Sequence, residues 1–304
     1  MSVKHPIISV TGSSGAGTTS VKRTFERIFR REGINAAFIE GDAFHRYDRV
    51  EMKRVMAEEA KKGNNHFSHF GPEANLLEEL EAVFKKFGKS GTGRTRHYVH
   101  DEEEELLYGC PPGTFTEWEE ITSDTDVLFY EGLHGAVVTK EVNLARHCDL
   151  KIGVVPVVNL EWIQKIHRDQ MDRGYSHGAI KDTILRRMPD YLDYICPQFS
   201  ETDINFQRVP TVDTSNAFIA LWIPTPDESM VVIRFASPRG IDFPYLTSMI
   251  QNSFMSRANS IVVPGGKLDL AMQLILTPMI LQLMDRSRRA RGSRKRVEDL
   301  QKYA

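Results

Sequence analysis

At 304 residues the chain can bury a sizeable core in one large or two ordinary domains, and its 41% hydrophobic and 26% charged residues are those of a globular protein. A formal net charge of -2 gives no overall electrostatic case for binding nucleic acid or a membrane, so any anion site must be local. No apolar run approaches the length of a membrane helix or a signal-peptide core, and three scattered cysteines lack metal spacing or a disulfide framework, so a cytoplasmic protein is expected.

In chain order, the first predicted unit is an apolar strand over 6–10 that runs into a glycine-rich turn and then a helix. Gly12 and Gly17 have the four-residue gap of a phosphate-binding loop, in which backbone N–H groups and a helix N-terminus hold phosphate oxygens. Thr18 stands where such loops usually carry Lys. Val21, Phe25, Ile28 and Phe29 fall on one face of a helix that Gly33 closes. A second strand over 34–40 leads to Asp42 and His45, beyond a strand's carboxyl end, where α/β proteins place their sites.

Helices are predicted over 51–63 and 76–87, separated by a loop rich in His and aromatic residues. The run of acidic residues over 101–105 reads as solvated surface, since consecutive carboxylates do not readily converge on a metal. Val127 to Tyr130 forms a buried strand that delivers Glu131 to its end, and 149–158 is another β-branched strand. The helix over 160–172 carries Lys165, Arg168 and Asp169 on a polar face, and a further helix spans 179–191. Later strands are expected over 209–213, 230–235 and 260–263. A hydrophobic helix over 268–283, bent at Pro278, closes a single domain of residues 1–285, and 286–304 is a basic, frayed tail.

Phosphoryl transfer needs a hydroxyl and an acidic strand end for Mg²⁺, cations for the moving phosphoryl group, and a carboxylate near the acceptor hydroxyl. Thr19 and Glu131 suit the metal, and Lys165, Arg168 and Arg173 supply charge. Asp42 and Asp169 are the candidate carboxylates, although Asp42 could equally be a cap and Asp169 an ion-pair partner of Lys165 four residues before it. His45, Arg49, Arg173, Arg186 and Arg187 could together bind an anionic substrate.

At these residues the sequence resembles the phosphoribulokinase family, in its bacterial branch. The carriers are GSSGAGTTS at 12–20, EGDAFHRYDR at 40–49, FSHFGPEAN at 67–75, GRTRHYVH at 93–100, LFYEGLHGAVV at 128–138 and NLEWIQKIHRD at 159–169. QFSETDINFQRVPTVDTSN at 198–216 and RGIDFPYL at 239–246 extend the likeness over nearly the whole chain. The resemblance implies a three-layer α/β fold like that of P-loop nucleotide kinases, with a mixed central sheet and peripheral strands. It also implies Mg-ATP as phosphoryl donor and the 1-hydroxyl of D-ribulose 5-phosphate as acceptor.

By similarity, Gly12, Ser13, Ser14, Gly15, Ala16, Gly17, Thr18, Thr19 and Ser20 bind nucleotide, and Asp42 is the base. Lys165, Arg168 and Asp169 complete the catalytic set, His45, Arg49 and Arg173 bind the sugar phosphate, and Glu131 serves the Mg-nucleotide. Bacterial members share the loop without Lys, and their resemblance implies an octamer activated by NADH and inhibited by AMP, with Arg31, Arg234 and Arg257 linked to that control. No cysteine precedes Cys110, so the disulfide control of plant-type members is not expected. Two rivals stand beside this reading: a uridine-type nucleoside kinase, and an ATP-binding regulatory protein without catalysis.

Overall fold

The computed structural model describes residues 4–13, 18–171, 174–220 and 222–301, with side chains described outside 18–20 and 293–301. One eight-stranded sheet runs through the molecule in the order β2-β5-β1-β6-β7-β8-β10-β9. Its strands are β1 (Ile7–Thr11), β2 (Ala36–Glu40), β5 (Val127–Gly132), β6 (Leu150–Pro156), β7 (Ile204–Pro210), β8 (Ser229–Phe235), β9 (Phe254–Arg257) and β10 (Ser260–Pro264). The first five in that order are parallel, and β8, β10 and β9 add an antiparallel extension. Strands β3 (Gly93–Thr95) and β4 (Glu119–Ile121) pair separately as a small ribbon.

The two-residue alternation of the strands sorts their side chains into two cores. Ile8, Val10, Phe129, Ile152, Val154, Phe206, Ile233 and Phe235 face one side. There they meet Phe25, Ile28 and Phe29 of α1 (Thr18–Glu32) and the apolar stripe of the long C-terminal helix. On the other side Ile7, Leu128 and Tyr130 pack against Leu77, Leu80, Val83, Phe84 and Phe87 of α3 (Leu77–Ser90). Each such fully buried Phe or Ile stabilises the fold by roughly 1.5–3 kcal/mol. The remaining helices are α2 (Arg49–Lys61), α4 (Glu102–Tyr108), α5 (Val158–Met171), α6 (His177–Arg186), the short turns α7 (Met188–Asp190) and α8 (Gln198–Glu201), α9 (Phe243–Met249) and α10 (Leu268–Gln301).

Several boundaries differ from the sequence expectation. The acidic run forms the start of α4 because Asp101 caps it, accepting the Glu104 N–H at 3.0 Å, and carboxylates suit a helix N-terminus. The predicted helix over 179–191 ends at Arg186: Pro189 follows, and the Asp190 side chain is drawn inward by Ser68 and His66. The expected strand over 209–213 is β7, which begins earlier, at Ile204, and ends at Pro210. β9 is a four-residue edge strand, all of it exposed, too short for a two-residue alternation to stand out in the sequence.

The C-terminal helix departs furthest. α10 passes through Pro278, on its exposed side, and continues where a frayed tail was expected. Ser287 is fully buried and donates to the Lys4 carbonyl at 2.7 Å, and Arg291 pairs with Asp126 at 2.9 Å. The basic segment therefore starts as a helix packed on the body, corrected on those two contacts.

Candidate active site

Chain reversal on either side of β1 opens the sheet at its carboxyl edge, the usual place for a site in an open α/β sheet. The Gly12 N–H donates to the Gly132 carbonyl at 3.2 Å, tying the start of the glycine loop to the end of β5. Beside it Gly41 and Gly132 press backbone to backbone: a Cβ on Gly132 would lie 2.7 Å from the Gly41 Cα. Only two glycines allow β2 and β5 to close at this point. Their closure brings the turn bearing Asp42 alongside the strand end bearing Glu131.

Register pairs Glu131 with Val10 on one side and Glu40 on the other, so an oxygen-rich edge flanks the loop. Carboxylate oxygens are among the donors Mg²⁺ prefers, so Glu131 at this strand end has the chemistry to serve such an ion. Lys22 of α1 bonds to Glu40. Burial works against its charge, but Glu40 and Glu131 outweigh this and raise its pKa. Sequence reasoning passed over Lys22, which looks like any helix-surface cation. Ser13 is buried, and the Glu161 carboxyl of α5, raised by burial, lies on the same side and accepts from the Tyr191 hydroxyl at 3.2 Å.

A cleft of about 630 Å³ extends from this edge. It joins Asp42, His45, Arg49 and Arg168 with His69, Phe70, Tyr98, His100 and Arg187. Asp42 follows β2 in the short 3-10 turn Gly41–Phe44, whose Ala43 carbonyl is held by Arg96 Nε at 2.8 Å. Arg96 Nη2 also donates to the His45 carbonyl at 2.8 Å, while its guanidinium lies 3.7 Å over the Phe115 ring.

Asp42 Oδ1 is 3.2 Å from His45 Nε2, and Oδ2 is 3.7 Å from His100 Nε2. Burial opposes its ionisation, but His45 first, then His100 and His69, outweigh that and hold the carboxyl well below the usual range. His45 stacks on His69 with ring centroids 3.8 Å apart. Burial, then His45 and Arg187, push His69 well below the ordinary imidazole value. His134, in the turn two residues after β5, is lowered to about 4 by burial; its Nε2 lies 3.0 Å from the Phe70 carbonyl. Arg49 Nη2 donates to the His100 carbonyl at 2.9 Å.

The second charged group lies on α5. Asp169 bonds to Lys165 one turn back and accepts from Arg168 Nη2 at 3.0 Å and Nε at 3.1 Å. Burial opposes the Asp169 charge, but Lys165 and then Arg168 depress its pKa. Burial and the nearby Arg187 lower that of Lys165, against the pull of Asp169. The carboxylate therefore holds both cations beside the cleft, with Arg168 in its lining.

The other expected residues fall less evenly. Gly12 and Ser13 are in place, whereas Ser14, Gly15, Ala16, Gly17 and Arg173 lie outside the described residues. Thr18, Thr19 and Ser20 open α1, with side chains outside the described set. Arg31 reaches α10, donating to Gln273 and Thr277 at 3.1 Å each. Arg234 points to the opposite face of the sheet and donates to the Phe199 carbonyl at 3.0 Å. Ser260 pairs with both Arg234 and Arg257, so these two lie in one row across β10 while Arg31 is beyond the sheet.

A sheet of this order, a glycine loop between β1 and α1, and acidic residues at adjoining strand ends define an α/β kinase of the P-loop class. The chain belongs to the phosphoribulokinase / uridine kinase family, whose model matches residues 7–215. It is 74% identical over 287 residues to the phosphoribulokinase of Nitrobacter vulgaris, covering 94% of this chain and 99% of that one. The phosphoribulokinase of Xanthobacter flavus is 73% identical over 290 residues, 95% of this chain and 100% of the relative. Among solved structures, phosphoribulokinase from Rhodobacter spheroides is similar with a TM-score of 0.88 and 64% identity, covering 94% of this chain and all of that one.

Proposed function

We propose that this chain transfers the γ-phosphoryl group of Mg-ATP to the 1-hydroxyl of D-ribulose 5-phosphate, releasing ADP and ribulose 1,5-bisphosphate for the Calvin cycle. The observation that carries the reading is near end-to-end identity with relatives named phosphoribulokinase, at 74% and 73%. The cleft agrees chemically. Asp42 is a half-open carboxylate, its side chain 41% exposed, ionised at neutral pH and able to accept a hydroxyl proton. His45, Arg49 and Arg173 meet the sugar phosphate.

Lys165 and Arg168 stabilise charge on the transferring group, and Lys165 stands in for the cation that Thr18 withholds from the loop. Asp169 aligns those two cations. Thr19 and Glu131 hold Mg²⁺, which neutralises phosphate charge when bound. The protein works in the cytoplasm as a homo-octamer, activated by NADH and inhibited by AMP through Arg31, Arg234 and Arg257. The separation of Arg31 from the other two by the sheet supports an effector site completed between subunits.

An ATP-consumption assay with ribulose 5-phosphate, ribose 5-phosphate and uridine, each with and without NADH, tests the reading. Turnover with ribulose 5-phosphate, raised by NADH, is expected. Turnover with uridine alone would overturn the acceptor, and no turnover with any acceptor would favour a regulatory protein.

A further inference from the structure

Asn75 lies behind His45, 2% exposed, with every polar atom of its side chain engaged. Its Nδ2 faces two backbone carbonyls, those of His69 at 3.0 Å and Gly71 at 2.7 Å. A carbonyl oxygen can only accept, so the nitrogen of the amide must be the atom that points at both of them. The orientation of Asn75 is thereby fixed by the backbone. Its Oδ1 must then be the atom 2.8 Å from His45 Nδ1.

Oδ1 has no proton to give, so His45 Nδ1 has to carry the hydrogen of that bond. Nε2 is left to face Asp42 Oδ1, 3.2 Å away, and the cleft; an ionised carboxylate can only accept, so Nε2 carries a hydrogen as well while it makes that contact. The reverse arrangement would set a nitrogen lone pair against the amide oxygen in a buried site, a costly unsatisfied contact.

We infer that Asn75 is a positioning residue: it fixes the His45 ring and puts the Nδ1 hydrogen in place, so that Nε2 is presented to Asp42 and the sugar phosphate. Three further contacts make the support rigid. The Asn75 N–H donates to the Pro72 carbonyl at 3.0 Å, its carbonyl accepts from Arg46 Nη2 at 2.9 Å, and Leu76 N donates to the Phe44 carbonyl at 2.7 Å. The same amide that orients His45 also holds the carbonyl of His69, whose ring stacks on it. One side chain thus sets the ring plane from its edge and its face.

This role rests on the acceptor reading above, and the test separates the two. Neutron diffraction from deuterium-exchanged crystals of the unmutated protein should show deuterium on His45 Nδ1 and two on the Asn75 nitrogen that faces His69 and Gly71. A bare Nδ1, or a reversed amide, would overturn the inference even if Asn75→Ala failed to fold.

In steady-state assays Asn75→Ala should raise KM for ribulose 5-phosphate by about tenfold or more, with KM for Mg-ATP within about twofold of the parent. Equal rises for both substrates would mean general loosening and would also overturn it. Absence of ribulose 5-phosphate turnover in the unmutated protein would instead sink the acceptor assignment, leaving the hydrogen positions to stand or fall by diffraction.

Discussion

Two carboxylates flank one cleft in opposite conditions. The Asp42 side chain is 41% exposed and meets imidazoles at 3.2 and 3.7 Å, whereas that of Asp169 is 5% exposed and bonded to Lys165 and Arg168. Both have depressed pKa values, but for different ends. Asp42 keeps an approach from the cleft, so its charge is available to a substrate hydroxyl. Asp169 has its oxygens committed to its own helix, so its charge is used to hold cations in place. A depressed carboxylate alone therefore does not mark a base; the open direction beside Asp42 is what supports proposing it as one.

The comparison predicts a split between activity and stability. Asp42→Asn should cut turnover by about 10²–10⁴-fold while ATP affinity, read by calorimetry, stays near the parent value. Loss of nucleotide binding would give Asp42 a metal or structural role instead. Asp169→Ala should also cost turnover, by releasing Lys165 and Arg168. It removes the carboxylate that Lys165 and Arg168 share in a partly buried place, so denaturant unfolding should show a loss of about 3 kcal/mol. Equal stability of the two variants would erase the distinction between them. Lys165→Ala should lower turnover strongly, and near-normal turnover would remove it as the substitute for the missing loop lysine.

Features written in contiguous residues were legible from sequence. The apolar strand, glycine turn and amphipathic α1 are local patterns, and Glu131 could be recognised because Val127 to Tyr130 runs straight into it. What was not legible depends on contacts between distant segments. Arg96 serves the Asp42 turn through bonds spanning 53 and 51 residues, and Asn75 reaches His45 across 30. Both stand in stretches that carry the family resemblance, but nothing local to either names the distant partner it serves. His69 reaches the cleft for the same reason, whereas Arg187, expected to meet an anionic substrate, does line it. The continuation of α10 was hidden by its charge: a basic run reads as solvated unless one knows that Lys4 and Asp126 wait beside it.

Of the same order as the Asp169→Ala loss is an effect of pH. His134 is held neutral, with its pKa at about 4 against an ordinary 6.5, because it is buried. Between those values the unfolded chain binds the proton and the folded one does not, so stability rises with pH across that window. It is fully present above about 6.5 and lost as pH falls toward 4. The shift corresponds to about 3 kcal/mol, and His69, depressed in the same direction, adds to it. Urea titrations of the parent and of His134→Asn should show the difference between them shrinking in favour of the variant from pH 7 to pH 4. A constant difference would mean that His134 is not buried in its neutral form.

The smallest expected effect calibrates the contrast. Asp126 also meets a guanidinium, that of Arg291 at 2.9 Å, but their side chains are 25% and 31% exposed. Water and salt screen such a pair, and Asp126 keeps the Asn35 N–H at 3.1 Å when the arginine is gone. Arg291→Ala should therefore cost less than about 1 kcal/mol in thermal or denaturant unfolding, and less again in high salt, with turnover unchanged. Asp169 and Asp126 would then differ in energy through burial and the number of cations each must satisfy, since both pairs have comparable guanidinium contacts. A loss near that of Asp169→Ala would instead mean that the end of α10 locks the helix onto the body. Asp126 would then be a structural anchor of the same rank as the carboxylate beside the cleft.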